Sequence, residues 1–114
     1  MYSFEDILIR YNRFIDERGW RQYQHPKDLA LSVSIEAAEI LEHVQWKTDG
    51  EVERHLADHR EELGDEIVDF LLYLLQLAHV SDIDLASAID RKMKKNEEKY
   101  PASEVQGKHS NKYN

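Results

Sequence analysis

The chain has 114 residues, of which 23 are acidic and 15 basic, with a formal net charge of −8 and no cysteine. This length predicts one domain with a core of modest size. The lack of cysteine excludes disulfides and thiolate metal sites and favours a reducing compartment. The negative charge argues against a nucleic-acid polymer or an anionic membrane as partner, although it permits a single nucleotide that arrives with a divalent cation.

The N-terminal residues Met1–Asp6 lack the basic and apolar regions of a signal peptide. The longest apolar run, from Phe70 to Val80, is interrupted by Gln76 and His79 and is too short to span a bilayer. We therefore expect a cytoplasmic protein.

Apolar residues recur at helical spacing nearly throughout, and no stretch alternates like a half-buried strand. An all-α fold with four helices is predicted. Ser3 caps helix 1, which ends at Gly19, and Pro26 opens helix 2 after an aromatic and polar connector. Helix 2 is predicted from Pro26 to Trp46 and is followed by a turn at 47–50. Helix 3 is predicted to start between Glu51 and Leu56 and to end at Ala78 or His79. Helix 4 is predicted to start at a cap formed by Ser81 or Asp82 and to end before Tyr100-Pro101.

The domain is therefore expected to span residues 1–101, and the polar tail 102–114 is expected to be disordered. Helix 2 carries a second apolar set, Leu31, Ile35 and Trp46, which we interpret as an oligomer contact or one wall of a ligand pocket. The second half of helix 3 is apolar nearly all round, which predicts a buried central helix.

Two acidic patterns on neighbouring helices organise the chain. In the first, Glu36-x-x-Glu39, Glu36 falls in the middle of the apolar stripe of helix 2. A carboxylate there must be protonated, paired or bound to a cation. The second helix carries an acidic stripe beside its apolar one, formed by Glu62, Asp65, Glu66 and Asp69. Together they suggest a hard-cation site of oxygen ligands, although solvated acidic faces would explain the second stripe taken alone.

Three residues of helix 4, Lys92, Asn96 and Tyr100, recur every four positions and so lie along one side, where they would suit phosphate contacts. The alternative is a solvated basic face. Trp20 and Trp46 stand next to polar residues where a base could stack, but core packing is the commoner role of tryptophan. None of the six histidines follows a carboxylate by three positions, which excludes the Glu-x-x-His pattern of di-iron bundles. No Ser-His-Asp ordering, P-loop or glycine-rich fingerprint is present.

The ordered motifs resemble the MazG-type all-α nucleoside triphosphate pyrophosphohydrolases, and within them the dCTP pyrophosphatase-like branch. Glu36-x-x-Glu39 and Glu62-x-x-Asp65 resemble the paired acidic motifs of the family. Three further segments, which extend the resemblance from Trp20 to Pro101, are Trp20-x-Gln22-Tyr23-x-x-Pro26-x-x-Leu29-Ala30, Gln45-Trp46-Lys47-Thr48-Asp49-Gly50 and Lys92-Met93-x-x-Asn96-x-x-x-Tyr100-Pro101.

This resemblance implies hydrolysis of a nucleoside triphosphate to the monophosphate and pyrophosphate, with Mg²⁺ as cofactor and Mn²⁺ as a substitute. The implied Mg²⁺ ligands, which are also the implied catalytic residues, are Glu36, Glu39, Glu62 and Asp65. The implied phosphate contacts are Lys92, Asn96 and Tyr100, and the implied base-pocket residues are Trp20 and Trp46. It also implies a helical homodimer or homotetramer with sites near subunit contacts.

The chain departs from the family pattern at Gln24, where histidine is expected, and at Asp28, where asparagine is expected, both near the base pocket. Asp69 is an added acid that can join the metal ligands. Because Glu66-x-x-Asp69 has the same spacing, the choice of Glu62 and Asp65 rests on the resemblance and not on geometry.

As a hypothesis, Glu36 also acts as general base, since apolar surroundings should raise its pKa toward neutrality. The competing interpretations are a non-catalytic helical oligomerisation or regulatory module and the same chemistry on modified nucleotides.

Overall fold

The structure, a computed structural model, describes residues 2–107, and within this range it contains helices and no strand. The all-α prediction is confirmed. A short 3-10 turn, Arg21–Tyr23, precedes the second helix. The helices are α1 Phe4–Glu17, α2 Pro26–Glu42, α3 Asp49–Asp58, α4 Arg60–Val80, α5 Leu85–Lys99 and α6 Ala102–Val105. The chain divides into two compact units, Met1–Asp82 and Ile83–Asn114.

Helix α4 is the centre of the first unit, because α1, α2 and α3 all pack against it. The fully covered apolar side chains are Ile15, Leu29, Leu75 and Ala78. Gln76 is buried among them with no exposed surface. Its side-chain amide exchanges two hydrogen bonds of 3.0 Å with the amide of Asn12, so a polar pair fixes α1 against α4 without leaving a buried polar atom unpaired.

The predicted starts of the first two helices are confirmed. Ser3 caps α1 in a capping box with Asp6, and Pro26 is the first residue of α2. Gly19 follows the end of α1 with a φ of 66°, a conformation that glycine adopts without strain. These features use only residues close in sequence, so the sequence alone predicts them.

The predicted end of helix 2 and the predicted continuity of helix 3 were wrong. Helix α2 ends at Glu42, and Trp46 has a φ of 64°, which no residue inside an α-helix adopts. The predicted helix 3 is two helices that break at His59, whose φ and ψ of −122° and 29° are not helical. Thr48 starts α3 through a capping box with Glu51, so the predicted turn at 47–50 already contains the first residues of α3.

In the second unit, α5 begins after Asp84, whose side chain accepts a hydrogen bond from the backbone N–H of Ser87. The predicted cap at Ser81 or Asp82 was wrong, since Asp82 has a φ of 56° and lies in the preceding turn. Helix α5 ends at Lys99, before Tyr100 as predicted. Within the predicted tail, Ala102–Val105 form a short helix. Residues 108–114 of that tail lie outside the described residues.

The second half of α4 is not covered all round within one chain. Leu75 and Ala78 are buried, but Ile67 and Val68 keep about half of their surface exposed. The prediction of a fully buried central helix was therefore wrong for a single chain, because its neighbours in the first unit cover only one face. No helix in residues 2–107 is long and apolar enough to cross a membrane.

Candidate functional site

Four carboxylates of α2 and α4 form one neighbourhood in the first unit. Glu36 and Glu39 share one side of α2, as three-residue spacing requires. The charges of Glu39, Asp69 and Glu66, in that order, act on Glu36. We call Glu36, Glu39, Glu66 and Asp69 the carboxylate cluster.

Glu36 is the member of this cluster on which the other three charges act. Burial, then a hydrogen bond with the Glu39 side chain, then the nearby negative charges raise the pKa of the Glu36 carboxyl above its ordinary value. The Oε2 atom of Glu36 is buried and has no hydrogen-bond partner among the described residues. The predicted direction of the Glu36 pKa shift is confirmed, and its role as general base stays a prediction.

The second acidic motif has two registers on α4, about one helical turn apart. Glu62, Asp65 and Asp69 are exposed, and Glu66 is half-buried. The charge of Glu62 acts on His55. The α4 charges that act on Glu36 are those of Asp69 and Glu66, and the choice of Glu62 and Asp65 as metal ligands stays a prediction.

The donor chemistry of the cluster fits a hard divalent cation, which takes carboxylate oxygens as ligands. The unpartnered Oε2 of Glu36 and the mutual repulsion of the carboxylates are both relieved when a cation binds there. Within residues 2–107, no three acidic or histidine side chains converge closely enough to form a complete coordination shell. The cluster is thus a set of neighbouring charges on two helices, which a cation would draw together.

A cavity of about 720 Å³ opens between α1 and α4, next to the carboxylate cluster. Pockets for nucleotide-sized ligands have volumes in this range. Asp69 belongs both to the cavity wall and to the cluster. The aromatic and cationic side chains of the wall are Tyr2, Arg10, Tyr11, Phe14, Trp20 and Tyr73.

Nearby carboxylates contribute to raised pKa values of two tyrosines of this wall. Burial, then the charges of Glu36 and Asp69, raise the pKa of Tyr73. Burial, then Tyr73 and Asp69, raise the pKa of Tyr11. Both phenols therefore hold their protons firmly and can donate hydrogen bonds at the border between the cavity and the cluster. The sequence does not single out these two tyrosines, because tyrosines on an apolar helix face have the pattern of ordinary core residues.

The two tryptophans have different environments. Trp20 lines the cavity and packs edge-on against Phe14, with ring centres 5.7 Å apart. Close to it, the Gln24 amide donates to the Trp20 carbonyl, and Gln24 Oε1 is buried without a partner in the described range. Trp46 is 93% exposed, so core packing is excluded for it within one chain. Trp20 fits the predicted base pocket, and the role of Trp46 stays a prediction.

The predicted phosphate contacts all lie in the second unit. Lys92 and Asn96 are residues of α5, and Tyr100 follows its last residue. The backbone N–H of Tyr100 donates to the Asn96 carbonyl at 2.8 Å. Their predicted spacing along one helix is therefore confirmed, whereas their contact with a phosphate stays a prediction.

A histidine cluster, formed by His43, His55 and His59, adjoins the carboxylates and was also missed. Nδ1 of His43 lies 2.8 Å from Nε2 of His55, and Nε2 of His43 contacts the Glu66 carboxylate. Burial, then His59, Lys47 and His43, lower the pKa of His55. The four-residue spacing of His55 and His59 was a visible signal, but the contact between His43 and Glu66 joins residues 23 apart in sequence.

Comparison with known proteins places these features in context. Residues 31–114 match the model of the MazG-like family. The chain is 39% identical over 102 residues to human (Homo sapiens) dCTP pyrophosphatase 1, covering 88% of this chain and 60% of that protein. It is 36% identical over 101 residues to the Rattus norvegicus dCTP pyrophosphatase 1, covering 87% and 59%. The chain thus spans about three-fifths of the length of these curated relatives.

A crystal structure of a pyrophosphatase from Archaeoglobus fulgidus superimposes with a TM-score of 0.81 at 44% identity, covering 89% of this chain and 94% of that one. The sequence and structural similarities agree with each other, since the curated relatives are dCTP pyrophosphatases and the solved structure is a pyrophosphatase.

Proposed function

Because the chain belongs to the MazG-like family, we propose that it is a nucleoside triphosphate pyrophosphohydrolase that cleaves a (d)NTP to the (d)NMP and pyrophosphate. A dCTP-like substrate is proposed first, since the relatives named above are dCTP pyrophosphatases. The proposed role is house-cleaning of the cytoplasmic nucleotide pool.

One observation carries this proposal: the carboxylate cluster contains a buried, unpartnered oxygen of Glu36 and adjoins a cavity of nucleotide size. An acidic site alone repels a triphosphate, whereas carboxylates that hold a divalent cation attract it. The aromatic wall of the cavity offers stacking for a base, and Asp69 connects that wall to the acids.

The proposed metal ligands are Glu36, Glu39, Glu62 and Asp65, with Asp69 as an added one, and the register Glu66-x-x-Asp69 is the alternative. Bound Mg²⁺ would supply charge neutralisation, orientation of the triphosphate and a water of lowered pKa. The chain itself contributes the arrangement of oxygens on two packed helices and, through burial of Glu36, a site from which bulk water is partly excluded.

The remaining predicted contacts are part of the same proposal. Trp20 stacks on the base in the cavity, Lys92, Asn96 and Tyr100 bind phosphate oxygens, and Trp46 meets the nucleotide or a second copy of the chain. A homodimer or homotetramer is proposed, because Leu31 and Ile35 of α2 are more than half exposed. Sedimentation of the purified protein measures the oligomeric state.

The test of the function is product analysis with Mg²⁺ and a panel of dNTPs, NTPs and modified nucleotides. We expect monophosphate and pyrophosphate, with dCTP among the best substrates, and loss of turnover on removal of divalent cations by a chelator. Glu36→Gln should abolish turnover and retain nucleotide binding.

Other outcomes discriminate the alternatives. Orthophosphate plus diphosphate would show attack at a different phosphorus and would contradict the proposal. Preference for a modified nucleotide would keep the chemistry and change the substrate. No product from any nucleotide, with no thermal stabilisation by Mg²⁺ and nucleotide, would favour a non-catalytic helical module, because a binder gains stability by mass action.

A further inference from the structure

Trp20, the residue proposed to stack on the base, stands in the turn between α1 and α2. Its backbone N–H donates to the Ile15 carbonyl at 3.0 Å. Its carbonyl accepts from the Tyr23 backbone N–H at 3.0 Å and from the Gln24 side-chain amide at 3.2 Å. Its ring meets Phe14 edge-on, and the residue keeps 44% of its surface exposed. Because so much of the ring is uncovered, its direction depends on how the turn that carries it is held.

The next residue, Arg21, holds this turn against α1. Its Nε and Nη2 atoms donate to one carboxylate oxygen of Asp16 at 3.0 and 2.7 Å, and its Nη1 atom donates to the side-chain oxygen of Asn12 at 2.8 Å. Asp16 and Asn12 lie one helical turn apart on the same side of α1. The planar fork of a guanidinium holds two acceptors in fixed directions, whereas an ammonium acts as a point charge. Arg21 therefore fixes both the position and the rotation of the turn relative to α1.

Asn12 extends this contact from the surface into the core. Its side-chain nitrogen donates to the Leu8 carbonyl at 2.8 Å and to Gln76 Oε1 at 3.0 Å, and its oxygen accepts from Gln76 Nε2 at 3.0 Å. Because a guanidinium only donates, the Asn12 atom that faces Arg21 must be the oxygen, and this sets the orientation of the Asn12 amide. Gln76 has no exposed surface. One chain of hydrogen bonds thus joins the core of α4, through α1, to the residue next to Trp20.

The contacts of Arg21 are geometrically specific but lie at the surface. The side chains of Arg21 and Asp16 are 48% and 61% exposed, and an ion pair at such a site contributes little to stability. Its effect on binding is larger when it fixes a ring in advance, because a side chain that must be immobilised by the ligand lowers the affinity by about 2- to 12-fold.

We propose that Arg21 is a positioning residue that orients Trp20 for stacking on the nucleotide base. The inference rests on the proposed function, because it concerns the base pocket of that same site. Arg21 acts through Trp20 and not on the nucleotide, since three hydrogen bonds direct its guanidinium to α1. It therefore affects nucleotide binding and leaves the chemical step unchanged.

The orientation of Trp20 is measured in the nucleotide-free protein by time-resolved fluorescence anisotropy. A Trp46→Phe background leaves Trp20 as the single tryptophan of the chain. In this background Arg21→Ala should add a sub-nanosecond depolarisation from motion of the ring. Arg13→Ala is the matched control, the same change at an exposed arginine of α1, and should leave the anisotropy decay unchanged.

Steady-state kinetics with both tryptophans present, Mg²⁺ and the best nucleotide of the panel measures the consequence. Arg21→Ala should raise KM by about 2- to 12-fold with kcat unchanged. Arg21→Lys should behave like Arg21→Ala, because it keeps the charge and loses the fork. In a Trp20→Ala background, Arg21→Ala should raise KM no further, because its effect passes through that ring.

An unchanged anisotropy decay in Arg21→Ala would overturn the inference. A wild-type KM in Arg21→Lys would also overturn it, since charge alone would then suffice, and an equal rise in KM with and without Trp20 would give Arg21 a direct contact with the nucleotide instead. A lowered melting temperature of Arg21→Ala with an unchanged KM would leave Arg21 a purely structural role. Wild-type protein that turns over no nucleotide would overturn the proposed function itself, and the anisotropy decay would still decide whether Arg21 holds Trp20.

Discussion

The two registers of the second acidic motif predict opposite responses to substitution along a single helix, and the proposed ligands are Glu62 and Asp65. Glu66→Gln and Asp69→Asn each remove one charge from the carboxylate cluster and keep the size of the side chain. Glu62→Gln and Asp65→Asn make the same chemical changes one helical turn earlier on α4, at exposed positions. The two pairs are therefore matched in helix, charge and size, and they differ only in proximity to Glu36.

The expected size of the effect follows from charge and exposure. Two unit charges about 4 Å apart interact by about 4 kcal/mol at the effective dielectric constant of a protein surface. A divalent cation carries two charges, but a water replaces the lost carboxylate oxygen. We therefore expect each substitution of a ligand to cost about 3–4 kcal/mol of Mg²⁺ binding free energy. That loss corresponds to a Kd for Mg²⁺ raised about 10²- to 10³-fold. For an exposed carboxylate that does not bind the cation directly, charge interactions amount to at most about 1 kcal/mol, or roughly fivefold.

Isothermal titration with Mg²⁺ measures the Kd, and steady-state kinetics across a range of Mg²⁺ concentrations measures the half-saturating Mg²⁺ concentration. We expect Glu62→Gln and Asp65→Asn to shift the half-saturating Mg²⁺ concentration upward more than Glu66→Gln and Asp69→Asn do. If Glu66→Gln and Asp69→Asn caused the larger shift, the proposed ligands would be refuted, and the alternative register, whose charges act on Glu36, would be correct.

Three other predictions concern stability and the pocket. Asn12→Ala should lower the free energy of unfolding by at least about 2 kcal/mol in chemical denaturation, because it strips both hydrogen bonds from the buried Gln76 amide; the double variant with Gln76→Leu should recover part of the loss. Trp20→Ala should raise KM for the nucleotide by roughly 10- to 100-fold if stacking contributes about 1–3 kcal/mol per base, and an unchanged KM would remove Trp20 from the pocket. Hydrogen bonds within the α3 capping box lower the pKa of Glu51, so its ionised form stabilises the fold above its ordinary pKa and this contribution is lost as the pH falls through the lowered value. The difference in melting temperature between wild type and Glu51→Gln should therefore be present at neutral pH and vanish in acid, and a difference independent of pH would contradict this account.

Local signals explain which parts of the fold the sequence predicts. The Ser3 cap and the proline at position 26 act within one helical turn, so they are legible without knowledge of tertiary structure. The break at His59 has no such signal. Neither glycine nor proline marks it, and the apolar spacing continues across it.

The sequence likewise predicts some features of the candidate site and not others. That Glu36 lies on an apolar face follows from helical periodicity, and its raised pKa agrees with that position. The register of the second acidic motif does not follow from periodicity, because Glu62-x-x-Asp65 and Glu66-x-x-Asp69 are one turn apart on the same face. Only the packing of α2 against α4 determines which pair meets Glu36. Contacts between residues distant in sequence, such as that of His43 with Glu66, are invisible for the same reason.

The apolar surface of the first unit links the cavity to the proposed oligomer. Val68 and Leu71 of α4 line the cavity, yet 50% and 38% of their surface remains exposed, and Leu31 and Ile35 of α2 are exposed to a similar degree. Burial of one such side chain contributes about 1.5–3 kcal/mol, and in a twofold symmetric contact each residue counts twice. A second copy that covers this surface would therefore gain association energy from residues that also form the pocket wall. Assembly and enclosure of the nucleotide would then be coupled, because the contact that stabilises the oligomer also removes water from the site where the carboxylates act.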